Sequence, residues 1–318
     1  MSEGRIRVGA IGCGGRGRAH LACLQSFEDV ELVAVCDSVP EALERVGREF
    51  GVARRYADAG EFLDTEELDA VIVATPAHLN AVAAQPVLER GIDTLIEKPP
   101  GMSAAETRRL RDAAQRSGAR AMVAWDRRFN PFVLEARKAI EERGPIVQLV
   151  GEFHKSMANL DTGRFPEIVI DNMLLETTSH AIDLVRALAG SDVDEVHSVV
   201  RRRISKYKDV HAAVVSFENG CVASIIANYT TDTRLERYEI HGHYISAYLE
   251  GVSRGELVCD GERRALSGEG PSAMAAEDRF FFDCIRDDRP VVLPAANLDE
   301  AVKTMDLWEA IVAGLTGA

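Results

Sequence analysis

The sequence predicts two kinds of β structure in succession: a doubly wound parallel sheet of the α/β class, then an α+β region with a large, mostly antiparallel open sheet and helices on one face. Up to about residue 124, short apolar runs without alternation are separated by amphipathic helical segments, as in strands covered on both faces. After that point, apolar and polar residues alternate in several runs with no helical segment between them. We therefore predict a first domain at 1–124 and a second at 125–318.

The first domain is predicted to alternate strands with helices. Runs such as "AVIVAT" have no polar position, which is typical of a buried parallel strand. The predicted strands cover 6–11, 31–36, 70–74, 94–96 and 120–124, with a weaker one near 55–56. The predicted helices cover 16–26, 40–50, 79–90 and 103–117.

The second domain is predicted to be mainly β, with turn signals such as "ENG" and "DG" between its strands. Its predicted strands cover 147–154, 195–203, 210–217, 222–228, 237–241, 245–250 and 256–258, and its helices 174–188, 272–287 and 297–312. Several outward positions of these strands are apolar. We therefore predict a homodimer or homotetramer assembled through the open sheet.

Composition excludes several classes of partner. With a net charge of −14 over 318 residues, the chain repels phosphate backbones, so we expect no nucleic acid partner. No apolar run is long enough for a membrane span, and we expect no membrane partner. The six cysteines lack paired spacing, which favours a reducing compartment, and we predict a cytoplasmic protein.

A glycine-rich turn follows the first predicted strand in "IRVGAIGCGGRGRAH". Gly12, Gly14 and Gly17 form G-x-G-x-x-G between a strand and a helix, where the helix N-terminus offers N–H groups to a pyrophosphate. This predicts a Rossmann dinucleotide-binding domain, with Gly15 and Arg16 also in contact with the cofactor.

An acidic residue completes this fingerprint. Asp37 ends the second strand, "ELVAVCD", twenty residues after Gly17. Its carboxylate can accept hydrogen bonds from ribose hydroxyls and would repel a 2′-phosphate, so NAD is predicted in preference to NADP.

Two further stretches fall at the carboxyl ends of parallel strands, the edge where open α/β sheets bind ligands. "DTLIEKPPG" has Glu97 and Lys98 directly after a strand, and "VATPAHLNA" has Thr75, Pro76 and His78 in the same position. We predict cofactor contacts at all five residues.

One stretch of the second domain combines acidic residues with a histidine. In "LLETTSHAIDLVRALAG", Glu176, His180 and Asp183 are spaced to share one face of a single helix. "HGH" at 241–243 would place two imidazoles on one face of a strand, but no third ligand accompanies them, so no metal site is predicted.

Taken together, "GCGGRGRAH", "ATPAHLN", "EKP", "WDRRFNP" and E-x-x-x-H-x-x-D followed by "ALAG" make the chain resemble the glucose–fructose oxidoreductase/inositol dehydrogenase (Gfo/Idh/MocA) family over nearly its whole length. The resemblance implies NAD(P)-dependent oxidation or reduction of a secondary alcohol or ketone on a carbohydrate-like substrate. By position, the family's lysine is Lys98 and its catalytic histidine is His180. Glu176 stands where the family has aspartate, and Thr178 where it often has glycine.

The mechanism implied is hydride transfer from the substrate carbon to the nicotinamide while His180 takes the hydroxyl proton. Lys98 would donate a hydrogen bond to the developing alkoxide, and Glu176 or Asp183 would orient the imidazole. Predicted substrate contacts are Arg127, His154, Thr177 and Asp183.

Two alternatives stay open at this point. One is a redox-neutral enzyme in which tightly held NAD oxidises a carbon transiently to permit elimination or glycoside cleavage. The other is a nucleotide-binding regulator without catalysis. Substrate choice is expected to depend on loops such as 156–170.

Overall fold

The first apolar runs of the chain form a parallel sheet in a computed structural model that describes residues 4–158 and 165–315. Within residues 4–124, six strands lie in the order β3-β2-β1-β4-β5-β6, all parallel. They are β1 (Ile6–Ile11), β2 (Val30–Cys36), β3 (Arg54–Tyr56), β4 (Ala70–Val73), β5 (Asp93–Glu97) and β6 (Ala121–Ala124). The helices between them are α1 (Gly15–Leu24), α2 (Pro40–Glu49), α3 (Ala59–Thr65), α4 (Asn80–Glu89) and α5 (Ala104–Ser117). Every residue of β4, β5 and β6 is buried, because helices cover both faces of the sheet.

The alternating runs of the second part form an open sheet. Among the described residues, eight strands lie in the order β14-β13-β12-β11-β7-β10-β9-β8. Its pairs are antiparallel except for β7 with β10. The strands are β7 (Gln148–His154), β8 (Val193–Arg201), β9 (Val210–Phe217), β10 (Val222–Asn228), β11 (Leu235–Gly242), β12 (Ile245–Glu250), β13 (Arg254–Cys259) and β14 (Glu262–Ala265). The helices are α6 (Pro131–Glu141), α7 (Glu167–Asp171), α8 (Met173–Glu176) and α9 (Ser179–Ala189).

The predicted fold class is confirmed by this topology. Alternate burial along β9 and β10 matches a sheet with one covered face. At the predicted "DG" turn, Asp260 and Gly261 both have positive φ, which suits the tight hairpin between β13 and β14.

The chain divides into two units, and one segment differs from the predicted boundary. Residues 4–124 and Met274–Val302 form the first unit, while 125–273 and the residues from Lys303 form the second. The segment contains α10 (Ala273–Arg286) and the beginning of α11 (Leu298–Val312). It belongs to the first unit because the Val123 N–H donates to the Ala296 carbonyl at 2.8 Å, and Phe282 packs edge-on against Phe27.

The predicted helix over 174–188 is wrong in one respect. It is broken at Thr177 and Thr178, between α8 and α9. Two adjacent β-branched residues weaken a helix locally, and their hydroxyl groups contact the Tyr229 hydroxyl at 3.2 and 2.6 Å. The helical spacing of Glu176 and His180 therefore does not apply.

The described helices include none that combines the length and apolar character needed to cross a membrane.

The expectation that His241 and His243 share one face of a strand is wrong, since β11 ends at Gly242. Across the described ranges, His, Cys, Asp and Glu side chains form no group of three suited to a metal ion.

Candidate active site

The glycine turn has the backbone geometry that its sequence predicts. Gly12 has φ +104°, and a Cβ there would lie 2.3 Å from the Ala74 carbonyl oxygen. A Cβ on Gly17 would lie 2.0 Å from the Gly12 carbonyl oxygen, so α1 packs directly on the turn. Around Gly14 and Gly15, at the start of α1, an added Cβ would meet no atom within 4 Å. The turn is thus closed on its sheet side and open at the helix N-terminus, where an anion can approach the backbone.

Asp37 follows β2 and is tied to this turn. One carboxylate oxygen accepts the Cys13 N–H at 2.6 Å, and the other accepts the Val39 N–H at 2.8 Å. The carboxylate therefore lies beside the glycine turn, as a residue that binds ribose hydroxyls must.

The arginines of the turn are engaged within the first unit. Arg16 donates its Nε–H to Glu97 at 2.6 Å, and Arg18 pairs with Glu49 through two hydrogen bonds. The predicted cofactor contact of Arg16 stays a prediction, and its observed partner is the carboxylate next to Lys98.

Lys98 follows β5 in a segment whose backbone makes three hydrogen bonds to the side chains of Asn80 and Glu97. The Asn80 side-chain amide donates to the carbonyls of Glu97 and Pro99, both at 2.9 Å. The Glu97 carboxylate accepts the Lys98 backbone N–H at 3.0 Å. Thr75 donates to the Asn80 side-chain oxygen at 2.8 Å, which sets the orientation of that amide. The backbone on both sides of Lys98 is thereby fixed.

Pro76 and His78 lie where the sequence predicts, after β4. Pro76 precedes a short 3₁₀ turn, Ala77–Leu79, that contains the half-buried His78. Because β4 is flanked by β1 and β5, this turn shares its sheet edge with the glycine turn and Lys98.

His180 lies near the start of α9 in the second unit, with an imidazole that is 7% exposed. Its Nδ1 is 3.6 Å from Asp126 Oδ1. Asp126 in turn accepts a hydrogen bond from Arg127 Nη1 at 2.7 Å. This separation is too long for a hydrogen bond and is that of an ion pair if the imidazole is charged.

Arg127 is buried among acidic groups rather than open to solvent. Its Nε and Nη2 donate to the two Glu236 oxygens at 2.8 and 3.0 Å. Burial by itself would lower the pKa of this guanidinium, but Glu236 and Asp126 raise it, so the side chain stays charged. Contact of Arg127 with substrate stays a prediction, while its observed role is to hold Asp126.

Asp183 makes a second buried ion pair. It accepts two hydrogen bonds from Arg128, both at 2.7 Å, and one from Thr304 at 2.9 Å. Since Asp183 is fully buried, its hydrogen bonds give it a structural role. Contact of Asp183 with substrate stays a prediction.

The remaining predicted residues lie close together in the second unit. Glu176 ends α8, with its carboxylate 4.0 Å from Lys155 Nζ, and His154 ends β7, where its Nδ1 accepts the Asn228 N–H at 3.1 Å. Thr177 donates to the Met173 carbonyl at 2.8 Å. The predicted specificity loop, 156–170, lies partly outside the described residues, at 159–164.

Sequence reasoning singled out none of five residues that make buried side-chain contacts in the structure: Asn80, Asp126 and Tyr229, described above, and His20 and Asp278, which lie 2.8 Å apart between Nδ1 and Oδ1 in the first unit. Three of them lie inside motifs that stand out in the sequence, "GRAH", "AHLN" and "WDRR". Tyr229 and Asp278 carry no local signal, because only the folded chain brings them to their partners.

A glycine turn between a strand and a helix, with an acidic residue after β2, has the features of a Rossmann dinucleotide-binding domain. Comparison with known families agrees. Residues 6–125 match the oxidoreductase family with an NAD-binding Rossmann fold, and residues 133–247 match the GFO/IDH/MocA C-terminal domain. The chain belongs to the Gfo/Idh/MocA family and is a dehydrogenase of the class that acts on CH–OH groups.

Individual relatives cover most of the chain. It is 26% identical to D-apiose dehydrogenase of Paraburkholderia graminis over 86% of this chain and 75% of that protein. It is 26% identical to the NAD⁺-dependent scyllo-inositol 2-dehydrogenase of Bacillus subtilis over 91% of this chain and 89% of that protein. A solved dehydrogenase from Chromobacterium violaceum has the same fold, with a TM-score of 0.87, 23% identity and coverage of 98% and 95%.

Proposed function

We propose that the protein is an NAD-dependent dehydrogenase that oxidises a secondary alcohol of a sugar, polyol or related cyclic carbohydrate. The observation that carries the proposal is the shared sheet edge of the glycine turn, Asp37 and Lys98, which follow β1, β2 and β5. The strand order reverses direction beside β1, and such a switch point is where this fold binds dinucleotides. Similarity to apiose and inositol dehydrogenases supports the carbohydrate-like substrate.

In the proposed reaction, a bound nicotinamide would supply the hydride chemistry, and the protein supplies the proton transfer and the hydrogen bonds. His180 takes the proton of the substrate hydroxyl, and Asp126 holds the imidazole in the required orientation. Lys98 donates a hydrogen bond to the oxygen as negative charge develops on it.

The proposal is tested by mixing the purified protein with NAD⁺ or NADP⁺ and a panel of sugars, inositols and sugar acids. Net cofactor reduction, followed by the near-ultraviolet absorbance of the reduced nicotinamide, is the expected result. Release of an aglycone or an elimination product without net reduction would contradict it. So would tight NAD binding with no turnover of any substrate in the panel.

We propose that Asp37 makes the enzyme prefer NAD to NADP. Asp37→Asn removes the charge but keeps an oxygen that can accept the Cys13 N–H. We expect the kcat/KM ratio of NAD⁺ to NADP⁺ to fall about 10- to 100-fold, because repulsion of the 2′-phosphate is lost. Steady-state kinetics with both cofactors measure this ratio. Asp64→Asn, a matched change on the exposed side of α3, should leave the ratio unaltered, and the same ratio in both variants would refute the assignment.

We also propose that the chain self-associates through the outward face of its open sheet. Val199, Val214, Val222 and Ile226 are exposed on β8, β9 and β10. Adjacent apolar side chains on one strand face are unfavourable in water and favour burial against a second copy. Val214→Lys is expected to shift the mass in light scattering toward the monomer, whereas Val252→Lys, in the turn after β12, should not. A monomeric wild-type protein would contradict the proposal.

A further inference from the structure

A buried histidine lies next to Glu97, the residue before Lys98, and between two carboxylates from different parts of the chain. His20, on α1, is fully buried. Its Nδ1 is 2.8 and 3.0 Å from the two oxygens of Asp278 on α10, and its Nε2 is 3.3 Å from Glu97 Oε1 at the end of β5. Three elements of the first unit thus converge on one imidazole.

This geometry selects the charged form of the ring. A neutral imidazole has one N–H and one lone pair, so it can donate to only one of two carboxylates. The imidazolium donates to both. With Arg16 also donating to Glu97 at 2.6 Å, the group holds two positive and two negative charges, which is the balanced arrangement that buried charges require.

The pKa directions of His20 and Glu97 agree with this assignment, and that of Asp278 opposes it. Burial by itself would lower the pKa of His20, but Asp278 and Glu97 raise it to about 10. Burial would raise the pKa of Glu97, but His20, Arg16 and Lys98 lower it to about 2. Burial raises the pKa of Asp278. The Cys23 thiol, also on α1, lies near Asp278, and burial together with that carboxylate raises its pKa to about 11.

Glu97 connects His20 and Arg16 to the backbone of Lys98. While Oε1 interacts with His20 and Arg16, Oε2 accepts the Lys98 backbone N–H at 3.0 Å. Loss of the imidazolium would leave a buried lone pair facing Glu97 Oε1, and the carboxylate would move or take up a proton. Either change would weaken the hydrogen bond between the Lys98 backbone N–H and Glu97 Oε2, which is one of the contacts that hold this segment.

We propose that His20 and Asp278 are positioning residues for the active site. Asp278 keeps His20 protonated, and the imidazolium keeps Glu97 ionised and oriented so that it fixes the backbone of Lys98. This role rests on the proposed function, because it assumes that Lys98 acts on the substrate.

Asp278→Asn tests the proposal, since the amide oxygen can still accept the His20 Nδ1–H without stabilising its charge. At about pH 8, kcat is expected to fall about 10- to 100-fold with unchanged affinity for NAD⁺, because a misplaced lysine slows the chemical step. Lowering the pH should recover part of the loss, as His20 becomes protonated again. A purely structural defect would not recover in this way. Asp283→Asn, the matched change on α10 at a half-buried pair with Arg279 and Arg286, should keep the wild-type pH profile.

The protonation of His20 is measured independently of turnover by NMR of protein labelled with nitrogen-15 in its histidines. We expect both His20 nitrogens to carry protons at neutral pH in the wild type, and the ring to titrate at a lower pH in Asp278→Asn. A neutral His20 in the wild type would overturn the proposal. So would full kcat and an unchanged pH profile in both Asp278→Asn and His20→Gln. Failure of the proposed function appears separately, as absence of cofactor reduction by the wild-type enzyme.

Discussion

Lys98→Ala is expected to lower kcat about 100- to 10,000-fold while the affinity for NAD⁺ changes little. The lysine is proposed to donate a hydrogen bond to an oxygen that gains charge in the transition state, and such groups contribute most of their stabilisation there. The glycine turn and Asp37, which are proposed to hold the dinucleotide, have their own hydrogen bonds, which do not involve the Lys98 side chain. Steady-state kinetics and calorimetric titration with NAD⁺ measure the two quantities.

Two further measurements make this prediction specific. Small primary amines added to Lys98→Ala should restore part of kcat, because they can occupy the space of the missing side chain and donate the same hydrogen bond. Lys138→Ala, an exposed change on α6, should behave as wild type. Loss of NAD⁺ binding in Lys98→Ala, with normal oxidation of any substrate by the cofactor that remains bound, would show that the lysine serves the cofactor instead.

His180→Asn is expected to lower kcat by a similar factor, about 100- to 10,000-fold, because an amide cannot accept the hydroxyl proton at neutral pH. The loss should shrink as the pH rises, since hydroxide or the alcohol's own ionisation then replaces the base. Rates of NAD⁺ reduction from neutral to alkaline pH measure this change. NAD⁺ affinity should be unaltered.

The neighbour of this histidine provides a second comparison. Asp126→Asn should lower kcat less than His180→Asn does, because Asp126 lies 3.6 Å from the imidazole and is proposed to act only by orienting it. His197→Asn, a matched change on the exposed part of β8, should leave kcat unchanged. A His180→Asn enzyme with wild-type rates at neutral pH would remove His180 from the mechanism.

The carboxylate next to His180 shows what could be predicted from the sequence and what could not. Family resemblance assigned the role of catalytic histidine to His180, and helical spacing offered Glu176 or Asp183 as the carboxylate that would orient it. In the structure, a break at Thr177 and Thr178 ends that spacing, and Asp183 pairs with Arg128. The carboxylate next to His180 comes from Asp126, 54 residues earlier in the chain, and no local pattern connects the two.

The first unit likewise contains one feature that the sequence predicts and one that it does not. The glycine turn was predictable because its motif records local requirements: Gly12 has φ +104°, and a Cβ on Gly17 would lie 2.0 Å from the Gly12 carbonyl oxygen, five residues earlier. The contribution of α10 could not be predicted, because Asp278 and His20 lie 258 residues apart in the sequence. Their pairing depends on how a distant helix packs against α1.

The amino-acid sequence by itself determined the fold class, the dinucleotide fingerprint and the position of Lys98 after β5. These follow from hydrophobic periodicity, turn sterics and the succession of strands and helices along the chain, each of which is visible within a short stretch of sequence. Only the tertiary structure decided which charged groups meet: Asp126 with His180, Arg128 with Asp183, and Asp278 with His20 and Glu97. The physical reason is that a charge can be buried only where packing brings a partner to it, and packing depends on the whole chain.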